Sequence, residues 1–130
     1  MAERGFTPIK VHPLFKNKSL SAGDTGTSGA IDLRYEAQRG KFAIQASVSV
    51  GTAGTCGTTI FSYLLSDYMN GTYVAPSLAD TMGTFGTNAT EDFQSFTPIL
   101  GPFMKVVATQ FGSGTVGFDS IISSANLIVQ

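Results

Sequence analysis

Charged side chains are scarce in this chain: Asp, Glu, Lys and Arg make up 13% of its 130 residues, against roughly a quarter in an average soluble protein. Hydrophobic residues make up 42%. That balance is the reverse of the one that keeps a chain disordered, so a folded domain is expected. Tryptophan is absent, and cysteine and histidine occur once each, as Cys56 and His12. A lone cysteine excludes an intrachain disulfide and defaults to a small buried apolar group. A lone histidine offers no second imidazole for a metal site, and the sequence gives no pattern that assembles a Ser-His-Asp or Cys-His set around it. The start, Met1-Ala2-Glu3-Arg4-Gly5, lacks the apolar core of a secretory signal, so cytoplasmic synthesis without a signal peptide is expected. Phe42 to Ser66 carries no charge, but the glycines and threonines between Gly51 and Thr59 interrupt it, which argues against a membrane span. No segment has a helical period.

What remains is a chain whose polar surface must be built from Ser, Thr, Gly, Asn and Gln. Such a surface is cheaper to dehydrate than one of Lys and Glu, which suits subunit contacts. The few charges are also unevenly placed. Residues 1 to 41 hold Arg4, Lys10, Lys16, Lys18, Arg34, Arg39 and Lys41 against four acidic groups, whereas from residue 42 onward Lys105 faces Asp67, Asp80, Glu91, Asp92 and Asp119. A basic front and an acidic body can steer one copy onto another. The basic residues form no continuous patch and accompany no binding module, so nucleic acid is not expected as a partner.

The length fits one domain with a core of its own. Residues 1–27 read as an extended N-terminal arm, because Pro8 and Pro13 remove backbone donors and Lys16-Asn17-Lys18-Ser19 and Gly23-Asp24-Thr25-Gly26-Thr27 are loop-like. Phe6, Ile9, Val11, Leu14 and Phe15 are too apolar for a free tail, so the arm is expected to lie on a neighbouring subunit. From residue 28 the chain reads as short strands. Ile31, Leu33 and Tyr35 share one face of the first. Phe42, Ile44, Ala46, Val48 and Val50 alternate with Gln45, Ser47 and Ser49 in the cleanest period-two run. Thr58 to Leu65 is apolar on both faces and should be covered twice. The stretches around Thr72–Ala75, Thr84–Thr87 and Asp92–Phe96 follow. The last thirty residues read as a hairpin, with Gly112-Ser113-Gly114 joining a strand from Phe103 to one that leads towards Gln130. About seven or eight such strands predict an all-β, antiparallel β-sandwich over 28–130, of jelly-roll or Ig-like type.

Chemistry finds little support. Glu91 and Asp92 are adjacent, so on a strand they point to opposite faces and make a poor acid/base pair. Asp24 or Asp119 amid Ser and Thr is a thin shell for calcium. The Gly-rich runs are followed by no Gly-Lys-Ser/Thr and no helix, so they are turns and not phosphate loops. No catalytic residue, metal ligand or cofactor is expected. Tyr63, Tyr68 and Tyr73 cluster in the sequence and could form an interface or a platform for a sugar or a surface.

The run Leu100-Gly101-Pro102-Phe103-Met104-Lys105-Val106-Val107-Ala108-Thr109, followed by a Gly-rich turn and an end at Leu127-Ile128-Val129-Gln130, resembles the ending of small β-sandwich virion structural proteins of tailed bacteriophages. In those head-decoration and capsid-associated proteins, a Gly-Pro-aromatic-x-Arg/Lys-Val-Val-Ala-Thr strand pairs with a terminal apolar strand. Ala43 to Val50 is similar to their central strand, and the likeness covers roughly residues 29 to 130. The arm over 1–27 and the insertion Ser120 to Asn126 depart from it. The resemblance implies a non-enzymatic protein of the virion, with copies of itself and a major capsid protein as partners. Two other roles share the sequence features: a filament subunit assembled by strand or arm exchange, and a carbohydrate- or surface-binding module using the three tyrosines.

Overall fold

The computed structural model describes residues 8–21, 23–36, 39–50, 58–77, 82–85, 90–110 and 119–130. Among them are nine strands: β1 (Lys10–Ser21), β2 (Thr25–Thr27), β3 (Ile31–Asp32), β4 (Phe42–Val50), β5 (Thr59–Ser66), β6 (Gly83–Phe85), β7 (Thr90–Phe96), β8 (Phe103–Gln110) and β9 (Asp119–Val129). They form two antiparallel sheets, one ordered β1-β9-β4-β7 and the other β2-β8-β5-β6, with β3 beside β8. β2 and β3 run one after the other along β8, so together they act as a single broken strand.

The pairings are nested. β1 pairs with β9, β2 and β3 with β8, β4 with β7, and β5 with β6. This is the pattern of one long hairpin. Rolling that doubled ribbon over itself brings β9 against β4 and β8 against β5. The result is a jelly roll of two four-stranded layers, with the broken strand counted once.

Alternation decides what lies between the layers. Phe42, Ile44, Ala46 and Val48 of β4 are buried, as the period-two run predicts. They meet Phe61 and Tyr63 of β5, Met104, Val106 and Ala108 of β8, and Ile122, Ala125, Leu127 and Val129 of β9. Aromatic rings tie the middle together: Phe61 and Phe85 pack edge to face with centroids 5.4 Å apart, and Phe42 lies 5.6 Å from Phe96. Among the described residues, every buried polar side-chain atom has a hydrogen-bond partner. Gln110, fully buried, donates to the Leu20 carbonyl. The Ser28 hydroxyl accepts from the Val106 amide and so ties the gap between β2 and β3 to β8.

Two sequence expectations are corrected. The C-terminal thirty residues are not a hairpin: β8 and β9 lie in opposite sheets, β8 between β2/β3 and β5, and β9 between β1 and β4. The Gly112-Ser113-Gly114 turn lies outside the described residues. A hairpin and an arch between layers share the same local alternation, and only the distant partners of each strand distinguish them. The arm expected over 1–27 is corrected for the part that is described. From Lys10 to Ser21 the chain is the edge strand of its own four-stranded sheet, and Thr25–Thr27 edges the other. Pro13 is tolerated because β1 is an edge strand, and its register shifts between Pro13 and Phe15. That shift leaves Leu14 and Phe15 both packed against the core.

Candidate assembly interface

The residues expected to contact a neighbour divide into two groups. Leu14 and Phe15 turn inward, and the Phe15 ring lies 6.3 Å from Phe61. Ile9 and Val11 remain 61% and 58% exposed at the sheet edge. Phe6 lies outside the described residues.

The three tyrosines form no row. Tyr63 is a core residue whose hydroxyl accepts from the Ile99 amide. Tyr73 donates its hydroxyl to the Met69 carbonyl, and Lys105 Nζ sits 4.4 Å from its ring centroid. That face of Tyr73 is therefore occupied by a cation, and desolvation pushes its phenol above the ordinary value. Tyr68 stands largely exposed by itself.

Titratable groups meet here in two pairs. His12 bonds Glu36 at 2.5 Å, clipping β1 to the segment after β3 beside an open cleft that Tyr35 and Asp32 also line. Asp32 takes two hydrogen bonds from the Arg34 side chain and one from its backbone, which hold its carboxyl down at about 2. The Arg34 guanidinium in turn lies over the rings of Phe103 and Tyr35. No group of three or more His, Cys, Asp or Glu that could hold a metal lies among the described residues. Among the described residues, the cleft presents the hydrogen-bonded His12 and Glu36, the Asp32 carboxylate and the Tyr35 phenol.

The surface with the most consistent character is the outer face of the β1-β9-β4-β7 sheet. Register fixes which residues share it. One row runs Val11, Ile128, Ala43, Ser95; the next runs Pro13, Asn126, Gln45, Phe93; a third runs Lys16, Ser124, Ser47, Glu91. Ser19, Ile121 and Ser49 begin a fourth. Across these rows one cation and one anion occur. Both stand in the third row, at opposite edges of the sheet. The centre is polar, and in it the Asn126 side-chain amide donates to Gln45 Oε1 at 2.8 Å. Phe93 stands 64% exposed beside it. The outward positions of β4 were legible from its alternation. Those of β1 and β9 were not, because register shifts break their periods, and that β7 shares this face was hidden because its partner β4 lies far away in the sequence.

No protein-family model matches the sequence, and no curated protein sequence matches it. Among solved structures, the chain is similar to a chain of the T13 IBDV viral particle, with a TM-score of 0.53 and 12% identity over 93% of this chain and 30% of that one. It is similar also to a chain of infectious bursal disease virus Gt strain, with a TM-score of 0.50 and 12% identity over 93% of this chain and 32% of that one. This chain thus spans about a third of the length of those viral chains. A carbohydrate-binding module, CBM36 in complex with calcium and xylotriose, aligns over 92% of this chain and 97% of its own at a TM-score of 0.42 and 12% identity, too low to carry an argument. At these identities the likeness establishes the fold: a β-sandwich of the type found in these virus particles.

Proposed function

We propose that the chain is a non-enzymatic structural protein of a virion, which self-associates and decorates or cements a phage capsid. Its partners are further copies of itself and a major capsid protein. It uses no cofactor, and it reaches the virion after synthesis in the host cytoplasm. The observation that carries this reading is the outer face of the four-stranded sheet, charge-poor across its rows and flanked by exposed Val11 and Phe93. Subunit interfaces are depleted of charge at their centres in the same way. The jelly roll shared with virus-particle chains supports it. Contacts run through this face and the Ile9–Val11 edge, not through a free arm, because β1 is already paired within its own domain.

The filament reading needs a strand free to be exchanged, and Lys10–Ser21 is engaged. The sugar-binding reading needs an aromatic row, and Tyr63 is buried. The test is mass spectrometry and immunoelectron microscopy of density-purified particles from cells that make the chain. Stoichiometric presence on the particle surface is expected. Its absence from purified particles overturns the proposal.

A further inference from the structure

The charges on the outer face of the β1-β9-β4-β7 sheet are arranged to complement themselves. Lys16 on edge strand β1 and Glu91 on edge strand β7 occupy one row, separated by Ser124 and Ser47. A two-fold axis parallel to the strands, lying between β9 and β4, carries β1 of one copy onto β7 of the other. Lys16 then faces Glu91 of the second copy, and the reverse pair forms at the opposite edge. In the neighbouring row the same operation lays Pro13 on Phe93, and further along it brings Val11 over Ser95. An axis perpendicular to the strands would set Lys16 towards β1 of the partner and leave both charges unpaired. We infer that this face is an isologous interface in which a second copy of the chain packs sheet on sheet about the strand-parallel axis.

Other features agree with a second copy as the occupant. Four strands about 4.8 Å apart and four rows about 6.8 Å apart make a face of about 500 Å² per copy, or about 1,000 Å² in total. That lies at the threshold of about 1,000 Å² for a specific interface. Aligned sheets pack about 10 Å apart, a gap that the long Lys16 and Glu91 side chains can bridge from the rim. Exposed Phe93 would otherwise stand in water at the sheet edge, with Gln45 as its neighbour in the row, whereas Pro13 of a second copy would cover it. A face of this size gives a modest, concentration-dependent dimer, which becomes strong when repeated across a lattice.

The inference rests on the proposal that the chain self-associates, and sedimentation velocity over a concentration series separates the two. The wild type is expected to dimerise, more weakly as salt is added. Lys16→Glu and Glu91→Lys each replace two attractions by two repulsions, and each is expected to raise the dissociation constant about tenfold or more, whereas the double variant regains most of the affinity. Unchanged thermal melting of each variant shows that folding is intact. Lys105→Glu, on the other sheet, leaves the dimer unchanged. Self-association that ignores Lys16→Glu and Glu91→Lys overturns this interface and spares the broader reading. A monomer at every concentration overturns both.

Discussion

Gln94 of β7 and Thr84 of β6 exchange two hydrogen bonds, the Thr84 amide donating to Gln94 Oε1 at 2.8 Å and Gln94 Nε2 donating to the Thr84 carbonyl at 2.7 Å. The two strands edge different sheets. A single side chain therefore reproduces a pair of ladder bonds across the open side of the sandwich. On the other side His12 reaches Glu36 and Gln110 reaches the Leu20 carbonyl. The layers are thus clipped together by polar side chains where the core thins out.

Gln94→Leu removes the clip and leaves two Thr84 backbone groups to water. Because Thr84 is exposed, the loss is expected to be modest, about 1 kcal/mol. Urea unfolding checks it: the midpoint should fall with the slope unchanged.

Gly83 sits under this clip. A Cβ there would come within 2.8 Å of Ile44 Cγ2 and 3.2 Å of Gln94 Oε1. Ile44 is fully buried and has nowhere to retreat. Gly83→Ala is therefore expected to destabilise by about 1–3 kcal/mol through overpacking, read as a lower melting temperature. A melting point at or above that of the wild type would mean the β6–β7 edge relaxes freely.

Phe15 and Val11 distinguish a strand from an arm. Phe15→Ala is expected to cost the purified domain about 2 kcal/mol, less than the 3–5 typical of a fully buried ring, because Phe15 is half-buried against Phe61. Val11→Ser, at an exposed outward position, should leave thermal stability nearly unchanged. An arm lying on a neighbour would make both substitutions silent in an isolated monomer.

These two residues also show what the sequence could and could not convey. Alternation made β4 legible residue by residue, since Phe42, Ile44, Ala46 and Val48 keep an unbroken period. Composition and turn spacing made the sandwich legible, down to the jelly roll as one of two types. β1 was hidden because Pro13 and the register shift beside it break the period, and Lys16-Asn17-Lys18-Ser19 looks like a loop although it pairs with β9. Asn17, at a φ of 51°, takes a left-handed conformation in mid-strand. The partners of β8 and β9 were hidden because strand pairing across the chain leaves no local mark. The row joining Lys16 to Glu91 was beyond reach for the same reason: it exists only once three long-range registers are fixed.

Asp32 supplies a pH test of the local geometry. Its carboxyl is held at about 2 by the hydrogen bonds from Arg34, against an ordinary 3.8. A carboxyl depressed in the folded state adds stability that is present above its unfolded value and is lost as the pH falls from 3.8 towards about 2. Because the pair is exposed, the effect on stability should be small. The titration itself should be clear by NMR, with a midpoint near 2 for Asp32 that returns towards 3.8 in Arg34→Ala.

Electron microscopy of the purified chain at high concentration decides whether the sandwich is a subunit or a solitary domain. Ordered arrays, shells or discrete oligomers in which copies meet through the β1-β9-β4-β7 face are expected. A uniform field of separate 13.6 kDa particles at every concentration would contradict the subunit reading.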